Sequence, residues 1–266
     1  LVDLQRNNRT IKSLVHAGRN GYLWILERTA TDIHFVDAVP YVRQNVFSNL
    51  NPESGRPTYH NNRVPKTGER IEFCPSIWGG KDWPPTAYDP ELGYLYIPAN
   101  ENLCSALTGR KAKYRRGELF LGMNLSDMEV FPHADASKHI GELQAWDLNK
   151  GEKVWSRQFK SHNWGPVLAT GGGLVFSGGT NDRMFRAFDS QTGEILWEQR
   201  TNSGVVGVPV SYAINGQQYI AVQSGWGVDA ARKQDFLNKH LGTNLTVPQG
   251  GVLWVFAIPD KQSSQK

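Results

Sequence analysis

The stretch AWDLNKGEKVW, Ala145 to Trp155, returns forty-two residues later as AFDSQTGEILW, Ala187 to Trp197. Both spell Ala-x-Asp-x-x-x-Gly-x-x-x-Trp, with strand-like runs on either side of a turn. A β repeat of this length predicts stacked propeller blades, because a lone blade has two apolar faces and must cover both. Each motif residue has a mechanical task. Asp147 and Asp189 can cap their turns through a side-chain oxygen. Gly151 and Gly193 allow a positive φ that a Cβ would penalise. Trp155 and Trp197 offer wide rings to cover the next blade, each opposite a small alanine.

The rest of the 266 residues suits such an array. Twenty-seven glycines and nine tryptophans fit many hairpins and broad sheet faces better than helices. A net charge of +4 is small, and the basic run Arg110 to Arg116 reads as a solvated loop with no nucleic-acid module around it. No apolar run approaches the length that crosses a bilayer. The start, LVDLQRNNRT, has neither the basic end nor the apolar core of a signal peptide. It reads as mid-domain sequence continuing something upstream, and the tail Lys261 to Lys266 reads as disordered.

Along the chain, Ile11–Ala17 and Tyr22–Glu27 flank a Gly-Arg-Asn-Gly turn, a strong hairpin signal. Strand character fades from Thr29 to Arg70, which reads as an extended connection. The loop FCPSIWGGKDWPP, Phe73 to Pro85, is followed by a hairpin arm at Tyr94–Pro98 and a long insertion over 102–138. After the two repeats, Val208–Ala213 and Gln218–Gln223 bracket an Asn-Gly turn. An irregular stretch from Gly225 to Gly251 precedes a last strand, Val252–Ile258. The expectation is an all-β partial propeller of about four blades with almost no long helix and with Trp155 and Trp197 buried between sheets.

The hairpin RNGYLWILER, the loop CPSIWGGKDWPPTAYDPE, the tryptophan motifs and the ending SGWG…GGVLWVFAI occur in that order. Together they resemble the C-terminal part of the quinoprotein alcohol dehydrogenases, the methanol/ethanol dehydrogenase family that uses pyrroloquinoline quinone (PQQ). The resemblance covers essentially the whole chain. It implies an eight-bladed propeller with PQQ on the central axis beside calcium or a lanthanide, alcohol oxidation in the periplasm, and electron transfer to a cytochrome c. Residues 1–266 would then be the C-terminal portion of one propeller domain, partnered by its upstream N-terminal half.

Carried over by position, Arg19 matches the family's basic residue at the quinone oxygens, where a fixed cation stabilises developing negative charge. Asp82 and Trp83 match a pair, usually Asn-Trp, beside the cofactor. Asp82 departs from that pattern: a carboxylate cannot donate a hydrogen bond unless protonated, and its charge opposes an anionic quinol. Either Asp82 pairs with Arg19, or the loop presents it elsewhere. Trp164 of HNWGP matches a tryptophan bordering the pocket, and Gly225 and Trp226 occupy the place where the last blade touches the cofactor. Cys74 and Cys104 align with a structural disulfide, which would need an oxidising compartment.

The family's metal ligands and catalytic base lie upstream of the matched region, so no catalytic or metal-binding residue is expected in this chain. Asp32, Asp37, His133 and His139 have no ligand spacing and read as connection or surface residues. Two other readings compete with this one. The first is a propeller that only binds protein, like an outer-membrane assembly scaffold, which has no reason to bring Arg19 and the Gly-Lys-Asp-Trp loop together. The second is a quinoprotein acting on a sugar or polyol.

Overall fold

Each copy of the repeated motif forms a hairpin in which its alanine and tryptophan are directly opposed, Ala145 to Trp155 and Ala187 to Trp197. A β-bulge follows the alanine in both copies. The turns are capped alike: the backbone N–H groups of Asn149 and Lys150 donate to Asp147, and those of Gln191 and Thr192 to Asp189. Asp89 receives the N–H groups of Glu91 and Leu92 in the same way, so a third turn of this kind joins Ala87–Asp89 to Tyr94–Asn100.

The computed structural model describes residues 1–6, 8–137 and 139–258, so the tail Lys261–Lys266 lies outside the described residues. Four antiparallel sheets follow one another along the chain. The first runs Val2–Arg6, Arg9–Ala17, Tyr22–Arg28, Ile33–Pro40. The second is ordered Glu152–Phe159, Gly141–Asp147, Tyr94–Asn100, Ala87–Asp89, and the third Val167–Thr170, Leu174–Ser177, Met184–Asp189, Ile195–Arg200. The fourth holds Val210–Ile214, Gln217–Ser224 and Val252–Ala257. A smaller sheet of Glu129–Pro132, Leu103–Thr108 and Arg70–Phe73 is carried between them, and the Cys74–Cys104 disulfide ties its strands. Closing a loop of this length contributes roughly 3–4 kcal/mol in the chain-entropy account.

The sheets stack face to face, with a separate apolar core at each junction. Leu4, Leu23 and Ile25 meet Ile97 and Trp146 between the first and second sheets. Leu143 and Ala145 meet Val167, Val175 and Phe188 between the second and third. Phe176 and Phe185 meet Ile220, Val222 and Phe256 between the third and fourth. The strand Gly141–Asp147 is buried along its whole length because alternate residues serve opposite neighbours. Truncating Leu143 to alanine there would cost about 2–5 kcal/mol. Serial stacking of this kind is the blade arrangement that the repeats predict.

Three expectations need correction. The segment after Thr29 is not strandless: Ile33–Pro40 completes the first sheet, and Phe47–Leu50 pairs with Pro57–Tyr59. These strands are partly exposed, so their alternation is diluted by polar residues. The N-terminal residues Val2–Arg6 also form a strand, with Leu4 fully buried. The stretch after Gly225 contains a helix, α1, over Gly227–Leu241. Its buried stripe is Ala230, Lys233, Gln234 and Leu237, which has helical spacing but two polar members, so an apolar pattern does not reveal it. Finally, Trp155 is half-buried against the third sheet, whereas Trp197 is 38% exposed. Trp155 is covered by the Ser190–Gly193 turn, whereas Trp197 packs edge-on against Phe185 and Phe256 and keeps the rest of its ring in solvent.

Candidate functional site

Antiparallel pairing sends the three Asp-capped turns to one end of the stack. The connections that leave Ala17, Phe159 and Ser224, and the one that enters Ala87, lie at the other end. All six residues expected at the cofactor belong to those connections.

Arg19 projects from the Gly18–Gly21 turn, which is anchored by the Tyr41 hydroxyl donating to the Gly18 carbonyl at 2.9 Å. Burial raises the Tyr41 hydroxyl well above its ordinary pKa, so it stays a proton donor. The Gly79–Gly80 backbone lies directly against the turn. A Cβ on Gly79, whose φ is +81°, would stand 2.8 Å from the Arg19 backbone, so only glycine allows this approach. The Arg19 guanidinium donates to the Ile77 carbonyl at 2.5 Å and pairs with Asp82 at 3.3 Å. Of the two possibilities open for Asp82, the structure shows the pairing with Arg19. Both side chains keep solvent contact, which makes the pair an orienting contact rather than a large stabilising one.

Trp83 is 48% exposed and meets Trp164 edge-on, with ring centroids 6.3 Å apart and planes at 83°. Trp164 is buried in one cluster with Trp226, Ala230 and Val247. Gly225 donates its N–H to the Gly204 carbonyl at 2.7 Å, which sets the entry to α1. The structure therefore places Arg19, Asp82, Trp83, Trp164, Gly225 and Trp226 at one end of the stack. Among them, Trp83 is the exposed indole, while Trp164 and Trp226 are buried.

Several members of this cluster escape sequence reading. Lys233 of α1 lies 3.4 Å from the Trp164 ring centroid, and Trp78 also borders it. Burial brings the Lys233 pKa down to about 8. Lys81 is lowered too, again by burial, and its ammonium donates to the Asp82 carbonyl at 2.7 Å. His162 is completely buried beside Trp226, and burial with the nearby Lys233 charge holds its pKa at about 3. Trp78 stands in the quoted loop and was legible as an aromatic, whereas Lys233 sits in a helix that periodicity hides. The end of the stack is thus rich in cations, with Arg19, Lys81 and Lys233 around Asp82.

Among the described residues, no group of three or more His, Cys, Asp or Glu side chains could hold a metal ion. Asp37 is engaged by Arg6 at 2.9 Å and His139 by Glu142 at 2.8 Å. No helix among the described residues is long and apolar enough to cross a membrane.

Comparison with known proteins bears on this arrangement. The family model described as glucose/ethanol/alcohol dehydrogenase, beta-propeller domain (PQQ) matches residues 55–220. The quinoprotein alcohol dehydrogenase PedE of Pseudomonas putida is 34% identical over 98% of this chain and 41% of its own length. The lanthanide-dependent methanol dehydrogenase of Methylacidiphilum fumariolicum is 33% identical over 85% of this chain and 36% of its own. A solved europium-containing methanol dehydrogenase superposes with a TM-score of 0.84 at 30% identity, over 97% of this chain and 47% of that one. The chain spans about two-fifths of the length of the curated relatives it matches along nearly its whole extent. By profile, sequence and fold, the chain belongs to the PQQ β-propeller family of glucose, ethanol and alcohol dehydrogenases.

Proposed function

We propose that residues 1–266 form the C-terminal portion of the propeller of a PQQ-dependent alcohol dehydrogenase, with 102–138 as an inserted region, and supply one wall of its cofactor pocket. The observation that carries this reading is the convergence of Arg19, Asp82 and Trp83 on one end of four stacked sheets. A scaffold that only binds protein has no use for that convergence. No residue here favours a sugar or polyol over a simple alcohol.

The side chains present fit a planar, anionic quinone. The Arg19 guanidinium offers a fixed fork of donors that stays charged at any working pH. Trp83 offers an exposed ring to a flat partner. Among the described residues the buried indole N–H of Trp226 has no hydrogen-bond partner. When bound, PQQ supplies the two-electron acceptor for alcohol oxidation. The part of Arg19 is to donate to an oxygen of the acceptor and stabilise negative charge as it develops there. Asp82 orients Arg19, and its own charge moderates the site's attraction for anions. The resemblance assigns the ligands of calcium or a lanthanide, and the catalytic base, to residues upstream of the matched region.

An exposed apolar sheet face supports a partner of this kind. One face of the fourth sheet packs on the third, while Val210, Tyr212, Ile214, Leu253 and Val255 on its other face are exposed. A blade with one bare apolar face is the surface that a further blade covers. The same reading puts the protein in the periplasm, where the Cys74–Cys104 bridge is stable, and passes its electrons to a cytochrome c.

The test is dye-linked alcohol oxidation with added PQQ and calcium or lanthanide, using this chain alone and joined to its upstream half. Turnover is expected only with both halves. Robust turnover by the chain alone would show that the catalytic residues are misplaced, and a complete protein that binds no PQQ would end the reading.

A further inference from the structure

Lys233 is 6% exposed, on the buried stripe of α1. Its ammonium lies 3.4 Å from the Trp164 ring centroid and 5.3 Å from that of Trp78. No carboxylate among the described residues approaches it within 4 Å, the range of the ion pairs seen elsewhere in the chain. Taking an ammonium out of water costs several kcal/mol, and here the aromatic faces offset that cost. Such contacts are stronger when desolvated than at the surface.

The lysine does not stand alone. Phe236, on the same helix, meets Trp78 edge-on at 5.9 Å, and Leu237 packs with Leu103 and Ile140. Gln234 accepts a hydrogen bond from Asn181 at 3.0 Å. Helix α1 is thus pinned at several points, with the ammonium held between two indoles. Trp164 also meets Trp83, with the two ring planes at 83°.

We propose that Lys233 is a positioning residue of the cofactor site, holding Trp164 and through it the angle at which the exposed Trp83 ring is presented. The identity of the ligand rests on the function proposed above; the ammonium–indole clamp does not. The charged and titratable groups facing Lys233 are Asp229 and Arg232 on its own helix, Arg19 and Asp82 from the two loops, and His162 from the segment before Trp164. Burial outweighs the two carboxylates and sets the titration of Lys233 at about 8. The clamp is therefore intact below that pH and weakens above it.

The experiment uses the complete protein, as wild type, Lys233→Met and Lys233→Arg. Met keeps the apolar stem without the charge, and Arg keeps the charge without titrating. Two quantities are read: tryptophan emission of the PQQ-free protein from pH 6 to 10, and the PQQ dissociation constant at pH 7 by quenching. Wild-type emission is expected to step with a midpoint near pH 8, and both variants are expected to lack the step. PQQ binding is expected to weaken about tenfold in Lys233→Met and to stay within about threefold in Lys233→Arg. Wild-type affinity in Lys233→Met overturns the proposal, as does emission without a step in wild type or with one in either variant. If Lys233→Met does not fold, the Arg variant still decides, because a surviving step there has the same force. A wild-type protein that binds no PQQ would instead remove the functional reading, while the emission titration still tests the clamp.

Discussion

The indole of Trp155 lies against Gly193 in the turn of the neighbouring sheet, and its N–H donates to the Ser190 carbonyl at 3.1 Å. A Cβ on Gly193 would come within 2.5 Å of the Trp155 ring, at a residue whose φ is already +67°. The Arg157 side chain closes the same contact by donating to the Gly193 carbonyl. One tryptophan thereby joins two blades through a ring, a glycine and a hydrogen bond.

Gly193→Ala is therefore expected to lose about 2–4 kcal/mol, from left-handed strain and from overpacking against Trp155. Gly216→Ala is the control, since its φ is +80° with nothing within 4 Å of the added methyl. It should lose only the strain component, about 1–2 kcal/mol. Urea denaturation of both variants makes the comparison, and equal losses would mean that the tryptophan contact contributes nothing.

Replacing Arg19 tests the cofactor wall. Its side chain is largely solvent-exposed, so Arg19→Ala should fold normally. In the complete enzyme the loss of one preorganised donor should lower alcohol turnover about 100- to 1000-fold. Arg19→Lys should retain much of that activity. PQQ content and turnover are measured together, and an alanine variant equal to wild type in both makes Arg19 a turn residue only.

Asp82→Asn separates orientation from charge. The exposed Arg19–Asp82 pair contributes about 0–1 kcal/mol to stability, so the melting temperature should move little. Removing a negative charge beside an anionic ligand should tighten PQQ binding several-fold, to an extent that falls with added salt. Weaker binding in the asparagine variant would show that orienting Arg19 is the larger effect.

His162 predicts an acid sensitivity. The buried ring titrates at about 3, against 6.5 for a free imidazole. Between those values the unfolded chain binds a proton that the folded chain refuses, so stability falls as pH drops through that window and is recovered above it. The slope from this group approaches about 1.4 kcal/mol per pH unit. His162→Leu should fold, because neither ring nitrogen has a partner among the described residues. It should also lose less stability than wild type between pH 6.5 and 5, measured by urea melts. Parallel pH profiles would mean that His162 is protonated in the fold.

Much of the architecture was legible from local signals. The Asp and Gly of each repeat specify a capped turn, and the Ala–Trp opposition follows from a hairpin of that length. The Asn215–Gly216 turn has positive φ at both residues, as its dipeptide predicts. What stayed hidden were elements whose burial is partial or mixed. Ile33–Pro40 is half-exposed, and α1 buries Lys233 and Gln234 where an apolar stripe would be sought.

The sequence by itself determined the hairpins within the blades, because strand pairing across a short turn depends on residues within about ten positions of one another. It also carried the family resemblance and, through it, the expectation that Arg19, Asp82, Trp83, Trp164, Gly225 and Trp226 border a cofactor. Only the tertiary structure decided that Asp82 turns to Arg19, that Trp83 stays exposed while Trp164 is covered, and that Lys233 reaches Trp164. Those relations join residues from Arg19 to Lys233. They are set by how whole sheets and a helix stack, and hydrophobic stacking leaves no short-range pattern to announce which distant side chains it brings into contact.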